Sequence, residues 1–261
     1  MKESWEARRQ RAEQLAAQSV GVGELLTFYA ALLGAQQQID ADLRRRPDRI
    51  SADKPERELS ALCALTPGLL ATVEAHGPEP LAREAQMLRQ AGETELEALL
   101  QDYWHGRSDL QFFAKALLQP WAGWLAETGW KLPERTADVR NRCPVCAGRP
   151  QLAVLRPAGQ GADGGNRSLL CATCLTEWPF RRVVCAQCGE ERPAKLGYFS
   201  SPSYDHVRIE ACDSCGYYLK GIDLTRFGLA VPLVDEVAAA PLDLWAREHG
   251  YTKIELNLVG L

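Results

Sequence analysis

Along residues 23–46, apolar side chains return every three or four positions, at Leu25, Leu26, Tyr29, Leu32, Leu33, Ile39 and Leu43. That is the period of one helix face, and Pro47 ends it. A second helical segment starts near Pro55 and runs past Leu59, Leu62 and Leu65, with Pro67 interrupting or kinking it. A third covers roughly 79–104, with Leu81, Met87, Leu88, Leu96, Leu99 and Leu100 as its apolar stripe. The fourth is announced by Ser108 and Gln111 in "SDLQ", a capping box that satisfies the open amides of a first turn. It offers Phe112, Phe113, Leu117, Leu118, Trp121, Trp124 and Leu125 to a core, and Gly129 as its C-terminal cap. About five such helices make a bundle over residues 1–136, with the Trp and Phe cluster inside it. Arg44, Arg45 and Arg46 fall at a helix end, where they meet the negative end of its dipole.

The polar stretch "KLPERTADVRNR", residues 131–142, marks the boundary after which the texture changes. "QLAVLRP" and "DHVRIEAC" predict strands; "PAGQGADGGNRS" and "SSPS" predict turns. The glycines of "GQGADGGN" lack the lysine of a phosphate loop and form a hairpin tip. "APLDLWAREHG" predicts a short helix with Pro241 in its first turn, and "YTKIELNLVGL" a strand or docked tail.

Eight of the nine cysteines change the picture, because they come as four C-x2-C pairs: Cys143 with Cys146, Cys171 with Cys174, Cys185 with Cys188, and Cys212 with Cys215. The intervals between successive pairs are 24, 10 and 23 residues, so the chain repeats a unit of pair, long hairpin, pair. A C-x2-C turn aims two thiolates at one point, and two such knuckles at the end of a hairpin give tetrahedral S4 coordination. The intervals slightly exceed the usual zinc-ribbon spacing, which longer hairpin strands accommodate. Sequential pairing gives two sites, with Cys171 and Cys174 closing the first and Cys185 and Cys188 opening the second. A crossed arrangement, first pair with third and second with fourth, is the alternative. Thioredoxin-type redox pairs need a helix after the motif, and these pairs border hairpins. Evenly spaced knuckles favour mononuclear ions over an iron–sulfur cluster. Each ribbon is too small to fold alone, so a structural metal contributes on the order of 10–16 kcal/mol to it. Zinc and iron both suit such sites. The organisation is thus a multi-domain α and β chain: a helical bundle at 1–136 and two tandem zinc-ribbon modules at 137–183 and 184–261.

Other chemistry is thin. Cys63, in "LSALCALTPGLL", reads as an inert buried thiol. His206 lies in the second hairpin and, with four cysteines already available there, is expected at the surface. His76, His105 and His249 stand near turns and ends, and no catalytic triad, paired carboxylates or cofactor loop emerges. No apolar run reaches the length of a membrane span, and neither "MKESWEARRQRAEQLAAQ" nor the amphipathic run after it reads as an export signal. The expectation is a cytoplasmic protein, in a reducing compartment where cysteines serve metal or redox chemistry. Net charge is −4, but residues 140–195 hold nine basic against four acidic side chains. That basic third admits a nucleic-acid-binding zinc-ribbon protein as a rival, against which stand the acidic remainder and the lack of basic–aromatic interleaving.

"CPVC", "CATC", "CAQCG" and "CDSCGYYLKGID", closed by "PLDLWAREHGYTKIELNLVGL", resemble the FdhE family of formate dehydrogenase accessory proteins. The resemblance spans essentially the whole chain and is most specific in the cysteine-rich half. It implies a helical domain followed by two rubredoxin-like modules that bind iron, so iron is favoured over zinc, with the eight paired cysteines as ligands. Ala147 stands where the family commonly has glycine. The implied role is non-enzymatic: maturation of a formate dehydrogenase through contact with its catalytic subunit before export, without a membrane span or nucleic acid. A homodimer is left open, and a rubredoxin-like electron carrier is a further alternative.

Overall fold

The computed structural model describes residues 3–19, 21–45, 59–106, 111–131, 140–157 and 166–261. Pro47, Pro55, Ser108, the glycine-rich tip and most of the 131–142 boundary lie outside the described residues. The chain divides into two compact units, Ser4–Trp130 and Lys131–Leu261.

Among the described residues the first unit is entirely helical: α1 (Trp5–Gln18), α2 (Gly23–Arg45), α3 (Leu59–Cys63), α4 (Thr66–His76), α5 (Glu79–Ala91), α6 (Glu93–Trp104) and α7 (Phe112–Glu127). The long α2 is its axis, packed by α1, α4 and α7. It buries Leu26, Tyr29, Leu32, Leu33, Ile39 and Leu43 as its period requires, and Phe28 besides, while Leu25 stays half-buried.

Two expected helices are divided. Pro67 sits in the first turn of α4, where its missing amide is harmless, so the second segment is broken rather than kinked. Gly92, with φ of +86°, separates α5 from α6 in the middle of the third. The expected stripe on α5 is only partly used, for Met87 is 62% exposed. Gly129 follows the end of α7 with φ of +87°, as its capping role requires.

α7 also contains a buried proline that the hydrophobic pattern hides. Pro120 has no amide to offer the carbonyl of Ala116, one turn before it. The buried Gln36 of α2 fills that vacancy, donating from Nε2 to Ala116 O at 2.8 Å.

The second unit is built on one seven-stranded sheet. Its strands are β1 (Pro150–Arg156), β2 (Asn166–Cys171), β3 (Glu177–Pro179), β4 (Leu196–Ser201), β5 (Tyr204–Cys212), β6 (Tyr217–Asp223) and β7 (Thr252–Lys253). The order is β3-β2-β1-β6-β5-β4, with β7 also paired to β6. Each half is an antiparallel triplet of the same design, and β1 joins β6 in parallel, with Leu152 opposite Lys220 and Val154 opposite Ile222.

The expectation of two tandem ribbon modules therefore meets a single continuous sheet. The reason is β1, buried at six of its seven residues. In an isolated hairpin it would leave an apolar edge with unpaired amides. The short helices α8 (Pro232–Ala238) and α9 (Ala240–Glu248) follow, α8 covering β1 and β6. Pro241 lies in the first turn of α9, and residues after β7 dock as a tail. α8 gave no sequence signal strong enough to predict it, because all seven of its residues are buried and it lacks an amphipathic period.

The Gln36–Pro120 pairing makes a test. Gln36→Leu should destabilise the protein by about 2 kcal/mol, because the Ala116 carbonyl is left buried without a partner. In a Pro120→Ala background, where the helix supplies its own amide, Gln36→Leu should cost much less. Chemical denaturation of the four proteins of that cycle measures the difference.

Candidate metal centres

Each knuckle caps a strand. Cys143 and Cys146 precede β1, and Cys171 is the last residue of β2. Cys185 and Cys188 precede β4, and Cys212 is the last residue of β5. Because β1 and β2 pair with Pro150 opposite Cys171, and β4 and β5 with Leu196 opposite Cys212, each hairpin brings its two knuckles to the same end.

The sulfurs are grouped in sequence order. Cys143, Cys146, Cys171 and Cys174 form one cluster and Cys185, Cys188, Cys212 and Cys215 another, the Sγ atoms of each lying within 4.8 Å of one another. Across the first cluster Cys143 lies 3.4 Å from Cys174 and Cys146 3.5 Å from Cys171. Across the second, Cys185 is 3.7 Å from Cys215 and Cys188 3.8 Å from Cys212. These separations are too long for disulfides, which need about 2.05 Å. They match the edge of a tetrahedron, which is about 3.8 Å for an ion bonded to sulfur at about 2.3 Å. Each cluster could therefore hold one metal ion.

The local backbone explains the convergence. After the second cysteine of every knuckle the chain enters the left-handed region: Ala147 at φ +58°, Leu175 at +57°, Gly189 at +78° and Gly216 at +71°. That turn sends the amides of Ala147, Gly189 and Gly216 back to the carbonyls of Cys143, Cys185 and Cys212 at 2.9, 3.0 and 2.8 Å. It also points amides at sulfur: Val145 N donates to Cys143 Sγ at 3.4 Å, Thr173 N to Cys171 Sγ at 3.3 Å, and Gln187 N to Cys185 Sγ at 3.4 Å. Such donors favour thiolates. Ala147 thus adopts a conformation that glycine favours. The strain costs about 1–2 kcal/mol.

Electrostatics favour a cation at each centre. Burial pushes the Cys171 thiol well up, that of Cys185 up to about 11, and that of Cys215 higher still. In the first cluster hydrogen bonding from Cys146 draws Cys143 down, and that from Cys143 draws Cys174 down. Thiols this close trade protons, and only a cation among them lets all four ionise together. The two centres differ in access. In the first only Cys146 is half-buried and the rest are buried, whereas in the second Cys215 is half-buried and Cys188 is exposed.

Some residues that shape the centres left no sequence signal. Gly148 is one, since a β-carbon there would stand 2.9 Å from Cys171 Sγ and 3.2 Å from Cys146 Sγ. Glu190 is another. It accepts from Ser214 Oγ at 2.6 Å and from Arg192 N at 2.9 Å, so it ties the third knuckle to the fourth. The Arg192 guanidinium beside it holds its carboxyl far below the usual range. His206 differs from its expected surface position. Its side chain is 17% exposed, with Nε2 2.9 Å from Asp235 Oδ1 and its ring against Phe227. It pins β5 to α8, and that hydrogen bond to Asp235 raises its pKa. Cys63 is buried in the helical unit, outside both clusters, and burial raises its thiol. Among the described residues no helix is long and apolar enough to cross a membrane.

A helical unit followed by a mixed sheet with two four-cysteine clusters defines the class of protein. Residues 142–182 match the FdhE central domain and residues 183–259 the FdhE C-terminal domain. An FdhE homologue of Aquifex aeolicus is 35% identical over 195 residues, 74% of this chain and 68% of that one. Protein FdhE of Escherichia coli O127:H6 is 27% identical over 98% of this chain and 88% of its own. The crystal structure of the FdhE protein from Pseudomonas aeruginosa shares the fold at a TM-score of 0.72, with 24% identity, over 99% of this chain and 97% of that one. The chain belongs to the FdhE family.

The left-handed positions give a prediction. Ala147→Gly should stabilise the protein by about 1 kcal/mol, by relieving backbone strain. Gly216→Ala, whose β-carbon would meet nothing within 4 Å, should cost a similar amount through conformation alone. Gly148→Ala should do more harm than either, by crowding two sulfurs. Denaturant unfolding of the three variants checks the order.

Proposed function

We propose that this chain is an accessory factor rather than an enzyme, acting in the cytoplasm to mature formate dehydrogenase by binding its catalytic subunit before export. Membership of the FdhE family is the observation that carries the reading. Cys143, Cys146, Cys171, Cys174, Cys185, Cys188, Cys212 and Cys215 are the ligands of two mononuclear ions, with iron favoured over zinc by the family. An S4 set closes the coordination sphere, whereas catalytic zinc keeps a position open for water or substrate, so the centres act as scaffolds. The scaffold presents the β4–β5 hairpin, where Tyr198 and Phe199 are 46% and 38% exposed, as an aromatic surface for the catalytic subunit.

The nucleic-acid reading loses ground on the charges themselves. Arg156, Arg167, Arg181 and Arg192 hold Glu177, Glu210, Glu191 and Glu190, so four of the nine basic side chains of that third are engaged within the fold. A second reading, electron carrier, draws on the exposed Cys188, which would bring an iron at the second centre close to a redox partner. Voltammetry of the as-isolated protein separates it from the scaffold reading: a reversible couple supports the carrier, and its absence the scaffold.

Metal analysis of the full chain should return about two equivalents of iron plus zinc, one for each cluster. Under chelator challenge the second centre should release its ion first, with Cys188 as the point of attack; peptide-resolved alkylation follows the order. In the native host, deleting the gene should abolish formate dehydrogenase activity while the catalytic polypeptide is still made. Normal formate oxidation in that strain would remove the maturation reading.

A further inference from the structure

Behind the fourth knuckle lies a group of charges that the metal centres do not use. The side chains of Lys220, Glu236, Asp243 and Lys253 are all 0% exposed and meet as one neutral cluster. Lys220 Nζ lies 3.4 Å from Glu236 Oε1 and Lys253 Nζ 3.1 Å from Asp243 Oδ1, with closer pairs joining Lys220 to Asp243 and Lys253 to Glu236. The hydroxyl of Tyr218 donates to Asp243 at 2.9 Å, and the amides of Gln151 and Asn257 donate to Glu236 at 3.1 and 3.0 Å. The four ions come from four different elements: β6, α8, α9 and β7. Buried charges are tolerated only when fully paired, so the network accepts one arrangement of those elements.

That arrangement reaches the cysteines through three consecutive residues. Lys253 enters the charge cluster and also donates to the backbone oxygen of Leu261 at 2.7 Å. Thr252 N donates to Gly216 O at 2.8 Å, and the Tyr251 hydroxyl donates to Asp213 Oδ1 at 2.7 Å. Asp213 lies inside the fourth knuckle and Gly216 is its left-handed residue. Ile254 N then continues to Tyr218 O at 2.9 Å.

We propose that the second cysteine cluster and segment 251–261 form one cooperative unit, locked by the Lys220–Glu236–Asp243–Lys253 network, in which metal at the cluster and docking of the segment stabilise each other. The proposal rests on the reading that the cluster holds a metal. Coupling of this kind is reciprocal, so it is testable from either end.

Both arms use the full-length, metal-loaded protein. In the forward arm, Cys188→Ser empties the second centre, and hydrogen exchange at the amides of Thr252 and Ile254 should rise about tenfold, while β1 and β2 keep their protection. In the reverse arm, Lys253→Met should speed alkylation of Cys212 and Cys215 about tenfold and leave Cys143 and Cys146 unchanged. The charge-balanced pair Lys253→Met with Asp243→Asn should recover part of that loss. If Lys253→Met unfolds the whole unit, Tyr251→Phe takes its place: selective exposure of Cys212 and Cys215 supports the coupling and no change overturns it. Loss of the second metal with unchanged exchange at Thr252 and Ile254 overturns the coupling alone. Protein that purifies without metal at either cluster overturns the metal reading and this coupling with it.

Discussion

Four sulfurs brought to a common point are the constraint around which the second unit is built. Thiols at 3.4–3.8 Å from their partners across a cluster ionise together when a cation sits among them. Everything nearby serves that convergence. Strand ends deliver the knuckles, left-handed residues close the turns, backbone amides address the sulfurs, and Gly148 leaves room for two of them. The strain accepted at Ala147 and Leu175 shows how strongly the geometry is imposed, since neither residue favours the conformation it adopts.

The duplicated unit explains the sheet. Each half makes the same antiparallel triplet, but neither triplet is complete by itself, because β1 and β6 are buried along most of their length and need a partner at their edges. Pairing them in parallel joins the halves, and α8 covers the seam. The two centres thus sit on a common platform yet are unequal, one enclosed and the other open at Cys188.

Buried polar groups in both units are matched to partners. Pro120 removes an amide from the middle of α7, and Gln36 replaces it from a neighbouring helix. Arg167, 1% exposed in its side chain, meets Glu210 at 2.6 Å on the sheet, and the charge network behind β6 neutralises itself completely. In each case the partner lies far away in sequence, and its removal would leave a buried group unpaired.

What could be read from the sequence follows from short-range chemistry. A C-x2-C spacing fixes two thiols on one turn, a three-to-four residue apolar period fixes a helix face, and a proline or glycine fixes where an element stops. These made the helical half, the β1 and β5 strands, the α9 helix and the eight converging cysteines legible. Where the signals were weak or doubled, the boundaries slipped: Gly92 split one expected helix, and α8, buried all round, carried no period to detect. The sequence favoured sequential over crossed pairing without deciding it, because intervals of 42 and 41 residues, from Cys143 to Cys185 and from Cys171 to Cys212, make the two halves alike. Only tertiary structure decided it, through hairpin registers that set Pro150 opposite Cys171 and Leu196 opposite Cys212. The joining of β1 to β6, the pairing of His206 with Asp235 and the meeting of Lys220, Glu236, Asp243 and Lys253 were likewise decided there. The sequence by itself determined which groups would be available, and the packed sheet determined which of them meet, because burial is what makes a distant partner worth its ordering.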